Sequence, residues 1–179
     1  ELASFSPKSL VECVQSSHLR GIDKVFLALH GKYGEDGYIQ ALLDMHGIPY
    51  TGSTMLSSTI AMSKLASKRI FQSVGIPTPA FITLSAASIR EKGVDYDLAD
   101  DIRSELGEGV VIKPDTEGST VGITIVPNGN VDEIQRGIQE AAKWGETILV
   151  EQFIEGRELT VAVLGEDALP IIEIRTDTG

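Results

Sequence analysis

The sequence predicts a protein in two parts, an α/β layer over residues 1–63 and an α+β unit over residues 64–179. In the first part, strand-like apolar segments alternate with helical ones, which is typical of an α/β layer. In the second part, helices and hairpins are segregated, which indicates a largely antiparallel sheet. The connector Ile76-Pro77-Thr78-Pro79 lies just beyond the boundary and is stiff, because each proline restricts its own backbone and that of the preceding residue.

The composition indicates a folded chain without a nucleic acid or membrane partner. Of its 179 residues, 42% are hydrophobic and 23% are charged, which is enough to bury a core. The net charge of −11, with no strongly basic segment, would repel a nucleic acid backbone. The longest apolar runs fall far short of the ~20 residues that cross a bilayer. A single cysteine, Cys13, favours a reducing compartment, so we expect a cytoplasmic protein.

Five elements are predicted in the first part. Ser6-Pro7, ahead of spaced apolar residues, predicts a capped helix. The unbroken apolar run Val25–Leu29 predicts a strand covered on both faces in a parallel sheet. A turn-rich segment, 30–37, precedes a helix over about Tyr38–His46 that ends at Gly47. The short segment Ile48-Pro49-Tyr50 follows, and a further helix runs to about Met62, which gives β-α-β-α order from Val25 on.

The second part is predicted to contain three helices and six strands. The best-supported helix begins at Val131, because Asn130 can cap it and apolar residues recur at helical spacing along one stripe. The predicted helices are Lys64–Val74, Leu98–Leu106 and Val131–Lys143, and the predicted strands are Phe81–Leu84, Val110–Lys113, Gly122–Val126 and three beginning near Ile148, Leu159 and Ile171.

Lys113 and the loop after it form the first candidate site. Lysine is rarely buried unless paired, so Lys113 at the end of an apolar strand needs a phosphate or a neighbouring carboxylate. Glycines on both sides of Ser119-Thr120 let backbone N–H groups approach an anion, although an ordinary hairpin turn is the alternative. The loop lacks the Walker pattern. Lysine and loop together favour a phosphate site.

Two carboxylates and one histidine complete the candidates. Glu151 lies inside an apolar strand and needs a donor, either an adenine amino group or a protein lysine. Glu158 is placed to accept from ribose hydroxyls or to be a solvated strand edge. His30 follows the first predicted strand, where a ligand of an α/β sheet would lie, but a single loop histidine is more often structural.

These motifs together resemble the D-alanine–D-alanine ligases of the ATP-grasp superfamily. The resemblance extends from about Val25 to Ile174, and so many ordered matches are very specific. The matching segments are His30-Gly31, Gly34–Gly37 with Gln40, Gly47–Ser53, Met62-Ser63-Lys64 with Lys68, Gly75–Pro79, Lys113-Pro114, Glu117–Gly122 and Glu151–Glu158.

The resemblance implies an ATP-grasp fold, with part of a Rossmann-like N-terminal domain followed by the central ATP-grasp subdomain. It implies ATP and D-alanine as substrates, Mg2+ or Mn2+ as cofactor and a homodimer in the complete protein. The first D-alanine's carboxylate is phosphorylated, and the second D-alanine's amine attacks the acylphosphate. The implied site residues are Lys64 and Lys113 at the phosphates, the covering loop Glu117, Gly118, Ser119, Thr120 and Val121, the adenine hinge Glu151, Gln152, Phe153 and Ile154, Glu158 at the ribose, and His30 and Ser119 on the D-alanine side.

Two residues depart from the family pattern, and two regions of the family have no counterpart in the sequence. The family usually has aspartate at Ser63 and serine at Thr120. Its glycine-rich N-terminal segment would precede Glu1, and its metal ligands would follow Gly179, so we expect a fragment without metal ligands of its own. A nucleotide-binding module without turnover, or a ligase using D-lactate or D-serine, is the alternative.

Overall fold

The computed structural model describes residues 7–175, apart from the side chain of His18; the predicted cap at Ser6 lies outside the described residues. The helices are α1 Pro7–Gln15, α2 Tyr38–Met45, α3 Met55–Met62, α4 Lys64–Ser73, α5 Ala86–Lys92, α6 Tyr96–Leu106 and α7 Val131–Ala141. The strands are β1 Phe81–Ser85, β2 Val110–Pro114, β3 Thr124–Val126, β4 Thr147–Gln152, β5 Glu158–Thr160, β6 Val163–Leu164, β7 Asp167–Ala168 and β8 Ile172–Ile174.

A small hydrophobic cluster holds the first part together. Leu10 and Val14 of α1 are buried against Ile39 and Leu43 of α2. These residues recur at the three- and four-residue spacings that place side chains on one helix face. The amphipathic patterns of both helices therefore predicted their packing correctly.

The predicted strand Val25–Leu29 is wrong as an extended, doubly covered strand. Only Val25 forms a parallel bridge, in which its N–H donates to the Pro49 carbonyl at 2.8 Å. The partner segment then turns away at Gly52, whose φ of 102° lies in the left-handed region. Phe26 is 79% exposed, so one face of this segment is open. The apolar run was interpreted as burial on both faces, but a run alone does not show which partners are present.

The second part is built on a four-stranded antiparallel sheet in the order β1-β4-β2-β3. This confirms the predicted antiparallel sheet. Helices α5, α6 and α7 contribute to the hydrophobic core with the sheet. Asn130 caps α7 as predicted, because its Oδ1 accepts from the Glu133 N–H at 3.1 Å. Gly137 of α7 lets the helix approach β2, since a Cβ there would lie 2.7 Å from Ile112 Cδ1.

Helix α5 and strands β6 and β7 were not predicted from the sequence, and strand β3 starts later than predicted. Helix α5 starts directly at the end of β1, where the Ser85 side chain accepts from the Ser88 N–H. The hairpin β6–β7 contains only two residues per strand, too few to show a period. Strand β3 begins at Thr124 instead of Gly122, because the loop before it still has positive φ values. No helix within residues 7–175 is long and apolar enough to span a bilayer.

Candidate functional site

The first turns of α4 bring two lysines close to the loop after β2 and to β4. Ser63 caps the helix, since its Oγ accepts from the Ala66 N–H at 3.1 Å. Lys64 is the first residue of the helix and Lys68 lies one turn later. Residues four apart share a helix face, so both side chains point toward the sheet of the second part.

Asp115, just after β2, connects the following loop to α4. Its Oδ2 accepts from the Ser63 hydroxyl at 2.9 Å, and its Oδ1 accepts from the Leu65 N–H at 2.7 Å. A carboxylate at this position satisfies a free backbone donor of the first turn and is favoured by the helix dipole. Asp115 therefore fixes the distance between α4 and the loop.

We expect Asp115→Ala to lower the free energy of unfolding by about 1–2 kcal/mol, because a capping carboxylate and two hydrogen bonds are lost. Urea denaturation measures the change. Asp101→Ala, at an exposed position of α6, is the matched control and should change stability by less than about 0.5 kcal/mol. Equal losses in the two variants would contradict the capping role.

Lys64 holds the backbone of the same loop. Its Nζ donates to the carbonyl of Asp115 at 3.0 Å and to that of Glu117 at 2.6 Å. Burial lowers the pKa of Lys64 below its ordinary value, and the nearby charge of Lys113 lowers it further. Two cations are therefore held near one another at the base of the loop.

A buried ion cluster lies beside Lys64. The Lys68 ammonium contacts Glu151 Oε1 at 2.9 Å, and the Lys113 ammonium contacts Glu151 Oε2. Lys68 is 5% exposed and Glu151 is 7% exposed. The carboxylate of Glu151 has thus found protein lysines as its donors, which is the second of the two alternatives weighed from the sequence. Two positive charges share one negative charge, and Lys64 lies nearby together with the carboxylates of Asp115 and Glu117.

The loop Gly118–Val121 is a tight turn in a strained conformation. The Val121 N–H donates to the Gly118 carbonyl at 3.1 Å. Between them, Ser119 and Thr120 have φ values of 51° and 65°, which residues other than glycine rarely adopt. Such strain is characteristic of functional loops.

The end of this loop is packed against the only tryptophan of the chain. Gly122 has a φ of 67°, and a Cβ at this position would lie 2.7 Å from Trp144 Cδ1 and 3.1 Å from Pro114 Cγ. The Trp144 Nε1 donates to Glu140 Oε1 at 3.1 Å, which holds the ring in place. Glycine is therefore required where the loop enters β3.

We expect Thr120→Gly to raise the free energy of unfolding by about 0.5–1 kcal/mol, since relief of the left-handed strain exceeds the entropy cost of glycine. Thermal or urea denaturation measures the difference. Thr160→Gly in strand β5 has no strain to relieve and should lower stability. If both variants lose stability alike, the strain assigned to Thr120 is absent.

An open cleft of about 620 Å³ lies between the two parts. Lys64, Glu117 and Gly118 line it on one side, and Gln40 and Ser57 line it on the other. Among the described residues, Gln40 Oε1 is a buried polar atom that has no hydrogen-bond partner. A polar ligand in the cleft would complement this lining.

The other predicted site residues lie outside this cleft lining. The side chain of His30 is 88% exposed, and its Nδ1 lies 3.9 Å from Glu35 Oε1. His30 lines a separate cavity together with Lys32. Ser119 and Thr120 are exposed at the tip of their loop, and Val121 is half-buried. At the end of β4 and beyond, Gln152 and Ile154 are exposed, Phe153 is half-buried, and Glu158 is exposed in β5.

Two residues of the site were not among the assigned candidates. Lys68 was noted in the sequence as part of a motif, but no role was given to it. Asp115 follows Lys113-Pro114 directly and was not singled out. The spacing of Lys64 and Lys68 by four residues was the available signal, because it places both ammonium groups on one helix face.

Within the described residues, 7–175, no group of three or more His, Cys, Asp or Glu side chains could hold a metal ion.

Two family models match the chain. The one described as D-ala D-ala ligase C-terminus matches residues 70–179, and the one described as D-ala D-ala ligase N-terminus matches residues 5–53. Similar proteins include a D-alanine–D-alanine ligase of Desulforamulus reducens, 48% identical over 162 residues and covering 88% of this chain and 51% of the relative. Another, from Hydrogenovibrio crunogenus, is 42% identical over 172 residues, and the match covers 96% of this chain and 50% of the relative. The chain spans about half the length of these curated relatives.

Solved structures agree in fold. A D-alanine–D-alanine ligase from Bacillus anthracis superposes with a TM-score of 0.77 at 38% identity, covering 95% of this chain and 51% of that one. The structure of the Bacillus anthracis ligase complexed with ATP also has a TM-score of 0.77, at 35% identity, and the match covers 95% of this chain and 53% of that one. The predicted ATP-grasp fold is thereby confirmed.

Proposed function

The chain belongs to the D-alanine–D-alanine ligase family, and from this premise we propose that it forms the nucleotide-gripping part of an ATP-dependent ligase. The ligase joins two D-alanines through an acylphosphate intermediate and supplies a precursor of peptidoglycan. The protein contributes mainly by holding the reactants in position and by neutralising phosphate charge.

The sharing of one buried carboxylate by two lysines at the base of the loop carries this proposal. The chain as a whole has a net charge of −11, yet Lys68 and Lys113 both contact Glu151, and Lys64 lies beside them. A polyphosphate would supply a further anionic partner for Lys113 and Lys64. Distant carboxylates are screened beyond roughly 10 Å, so the groups nearest the phosphates govern binding.

The remaining roles follow the family resemblance. We propose that residues 117–121 fold over the phosphates, that residues 151–154 contact the adenine, and that Glu158 accepts from the ribose. His30 and Ser119 are proposed to face the D-alanine side of the cleft. Since Glu151 is already paired with two lysines, its side chain serves the phosphate end, and any adenine contact in this segment falls to the backbone around it.

The proposed domain organisation is 1–63 for the end of the N-terminal domain and 64–179 for the central subdomain and the start of the next sheet. Two separate hydrophobic clusters on either side of residue 63 support it. The cytoplasmic location, the Mg2+ or Mn2+ cofactor and the homodimer stay predictions.

Titration calorimetry of the 179-residue chain with ATP tests the phosphate site, and we expect saturable one-to-one binding. Turnover is tested by phosphate release with ATP, Mg2+ and D-alanine, in this chain and in one extended by about 150 C-terminal residues. Release only in the extended chain supports the ligase. Binding without release in either chain favours the module without turnover. Faster release with D-lactate or D-serine as second substrate favours those ligases.

ATP affinity should also fall as pH rises. The fall should begin at a lower pH than it would if Lys64 had the ordinary pKa of a lysine. The pKa of Lys64 is lowered in the free protein, and bound phosphate raises it again. Its contribution to ATP affinity is therefore fully present below the free-state pKa and is lost as pH rises from there through the bound-state pKa. Calorimetry between pH 7 and 10 measures this dependence. In Lys64→Arg the charge persists, and the decline should move to higher pH; an unchanged profile would contradict the role of Lys64.

A further inference from the structure

Lys68 is fixed on three sides. Its Nζ contacts Glu151 Oε1 at 2.9 Å, donates to Thr78 Oγ1 at 2.7 Å and lies 4.8 Å from the centre of the Phe81 ring. The carboxylate, the hydroxyl and the ring face all stabilise an ammonium. With 5% of the residue exposed, Lys68 has almost no surface left for a ligand.

Lys113 has fewer partners than Lys68 and is more exposed. Within residues 7–175 its ammonium is paired with Glu151 Oε2 alone, and its side chain is 19% exposed. It ends the apolar part of β2, next to the loop that Lys64 anchors. Of the two lysines on Glu151, Lys113 is the one that is free to exchange its partner.

Such an exchange would normally be opposed by Glu151. Suppose that Lys113 were the only cation paired with Glu151. If Lys113 then moved to a phosphate, the carboxylate would remain buried as an unpaired charge, which is strongly unfavourable. Here Oε1 keeps its contact with Lys68, so the carboxylate stays paired throughout. The second lysine thereby removes the main obstacle to releasing the first.

We infer that Lys68 is a positioning residue that keeps Glu151 neutralised, so that Lys113 can transfer from Glu151 to a phosphate group of the nucleotide. This inference rests on the proposed function, because it concerns the same phosphate site. Without Lys68, Lys113 and Glu151 form a closed neutral pair, and the phosphate must compete with the carboxylate for one ammonium.

Binding of inorganic tripolyphosphate tests the inference, because this probe has the phosphates of ATP but no adenine that Glu151 could affect. Calorimetry compares wild type, Lys68→Met, Glu151→Gln and the double variant. We expect Lys68→Met to weaken binding at least tenfold. In the double variant the uncharged glutamine competes only weakly for Lys113, so we expect affinity within threefold of wild type. Lys8→Met, at an exposed lysine of α1, is the matched control and should bind as wild type does.

Each outcome decides between explanations. Wild-type affinity in Lys68→Met overturns the inference, while ATP binding by wild type leaves the proposed function standing. A double variant that stays as weak as Lys68→Met also overturns it, because a packing role would not be rescued at Glu151. A wild-type chain that binds neither ATP nor tripolyphosphate contradicts the proposed function and this inference with it.

A variant that fails to fold must be recognised as such. Circular dichroism and thermal denaturation are recorded for each protein before titration. If Lys68→Met is unfolded, Lys68→Gln replaces it, since its amide can still donate to Thr78 and Glu151 without carrying a charge. The same tenfold loss and the same rescue by Glu151→Gln are expected.

Discussion

Replacing Glu151 with alanine should lower the free energy of unfolding by about 3–5 kcal/mol. The change leaves the ammonium groups of Lys68 and Lys113 without their shared carboxylate, in a site where Lys68 is almost fully buried. Removal of one partner from a buried ion cluster costs more than the cluster contributes when intact, because the remaining charges keep their desolvation penalty. Glu151→Gln should lose less, since its amide oxygen still accepts hydrogen bonds.

Urea denaturation followed by circular dichroism measures these losses. Glu12→Ala is the matched control, because Glu12 forms an exposed ion pair with Lys8 at 3.8 Å. Exposed pairs of this kind contribute about 0.3–0.5 kcal/mol. A loss in Glu151→Ala no larger than that in Glu12→Ala would show that the cluster is hydrated and carries little energy.

Replacing Lys113 with alanine should weaken ATP binding at least tenfold, or about 1.4 kcal/mol. The variant loses a charge-assisted contact with phosphate. It also leaves Glu151 and Lys68 as a neutral pair, so one positive charge fewer lies at the base of the loop. Both effects act in the same direction.

Calorimetry with ATP gives the affinity directly. Lys8→Ala removes the same charge at an exposed site of α1 and should leave the affinity unchanged. Lys113→Met retains the apolar part of the side chain and separates the loss of charge from any loss of packing. Unchanged affinity in folded Lys113→Ala would remove Lys113 from the phosphate site.

Features encoded by neighbouring residues were predictable from the sequence. Helix α7 is the clearest example, because its cap at Asn130 and its apolar stripe lie within a dozen residues. The segment Val25–Leu29 shows the limit of such reasoning. Its apolar composition indicates extended backbone. Whether it forms a strand, however, depends on how far the segment around Tyr50 runs beside it, and here the two segments share a single bridge.

In the site, too, features encoded by neighbouring residues were predictable, and contacts between distant residues were not. Lys113 and the loop after it were found because their residue types are unusual where they occur. The partners of Lys113 were undecided, because they depend on which side chains the sheet brings together. Pairing of β2 with β4 places Glu151 opposite Val111, and α4 supplies Lys68 from much earlier in the chain. No spacing within the sequence indicates that contact.

The strand order β1-β4-β2-β3 also determines when the site can form during synthesis. Strand β4 pairs with both β1 and β2, yet it is the last of the four to leave the ribosome. Until then β1 has no neighbour in the sheet, and Lys68 and Lys113 have no Glu151 to pair with. Non-local pairing of this kind slows folding, because the connecting chain must be ordered before contacts form. We therefore expect the sheet to be completed, and Lys68 and Lys113 to be paired with Glu151, only after β4 has been synthesised.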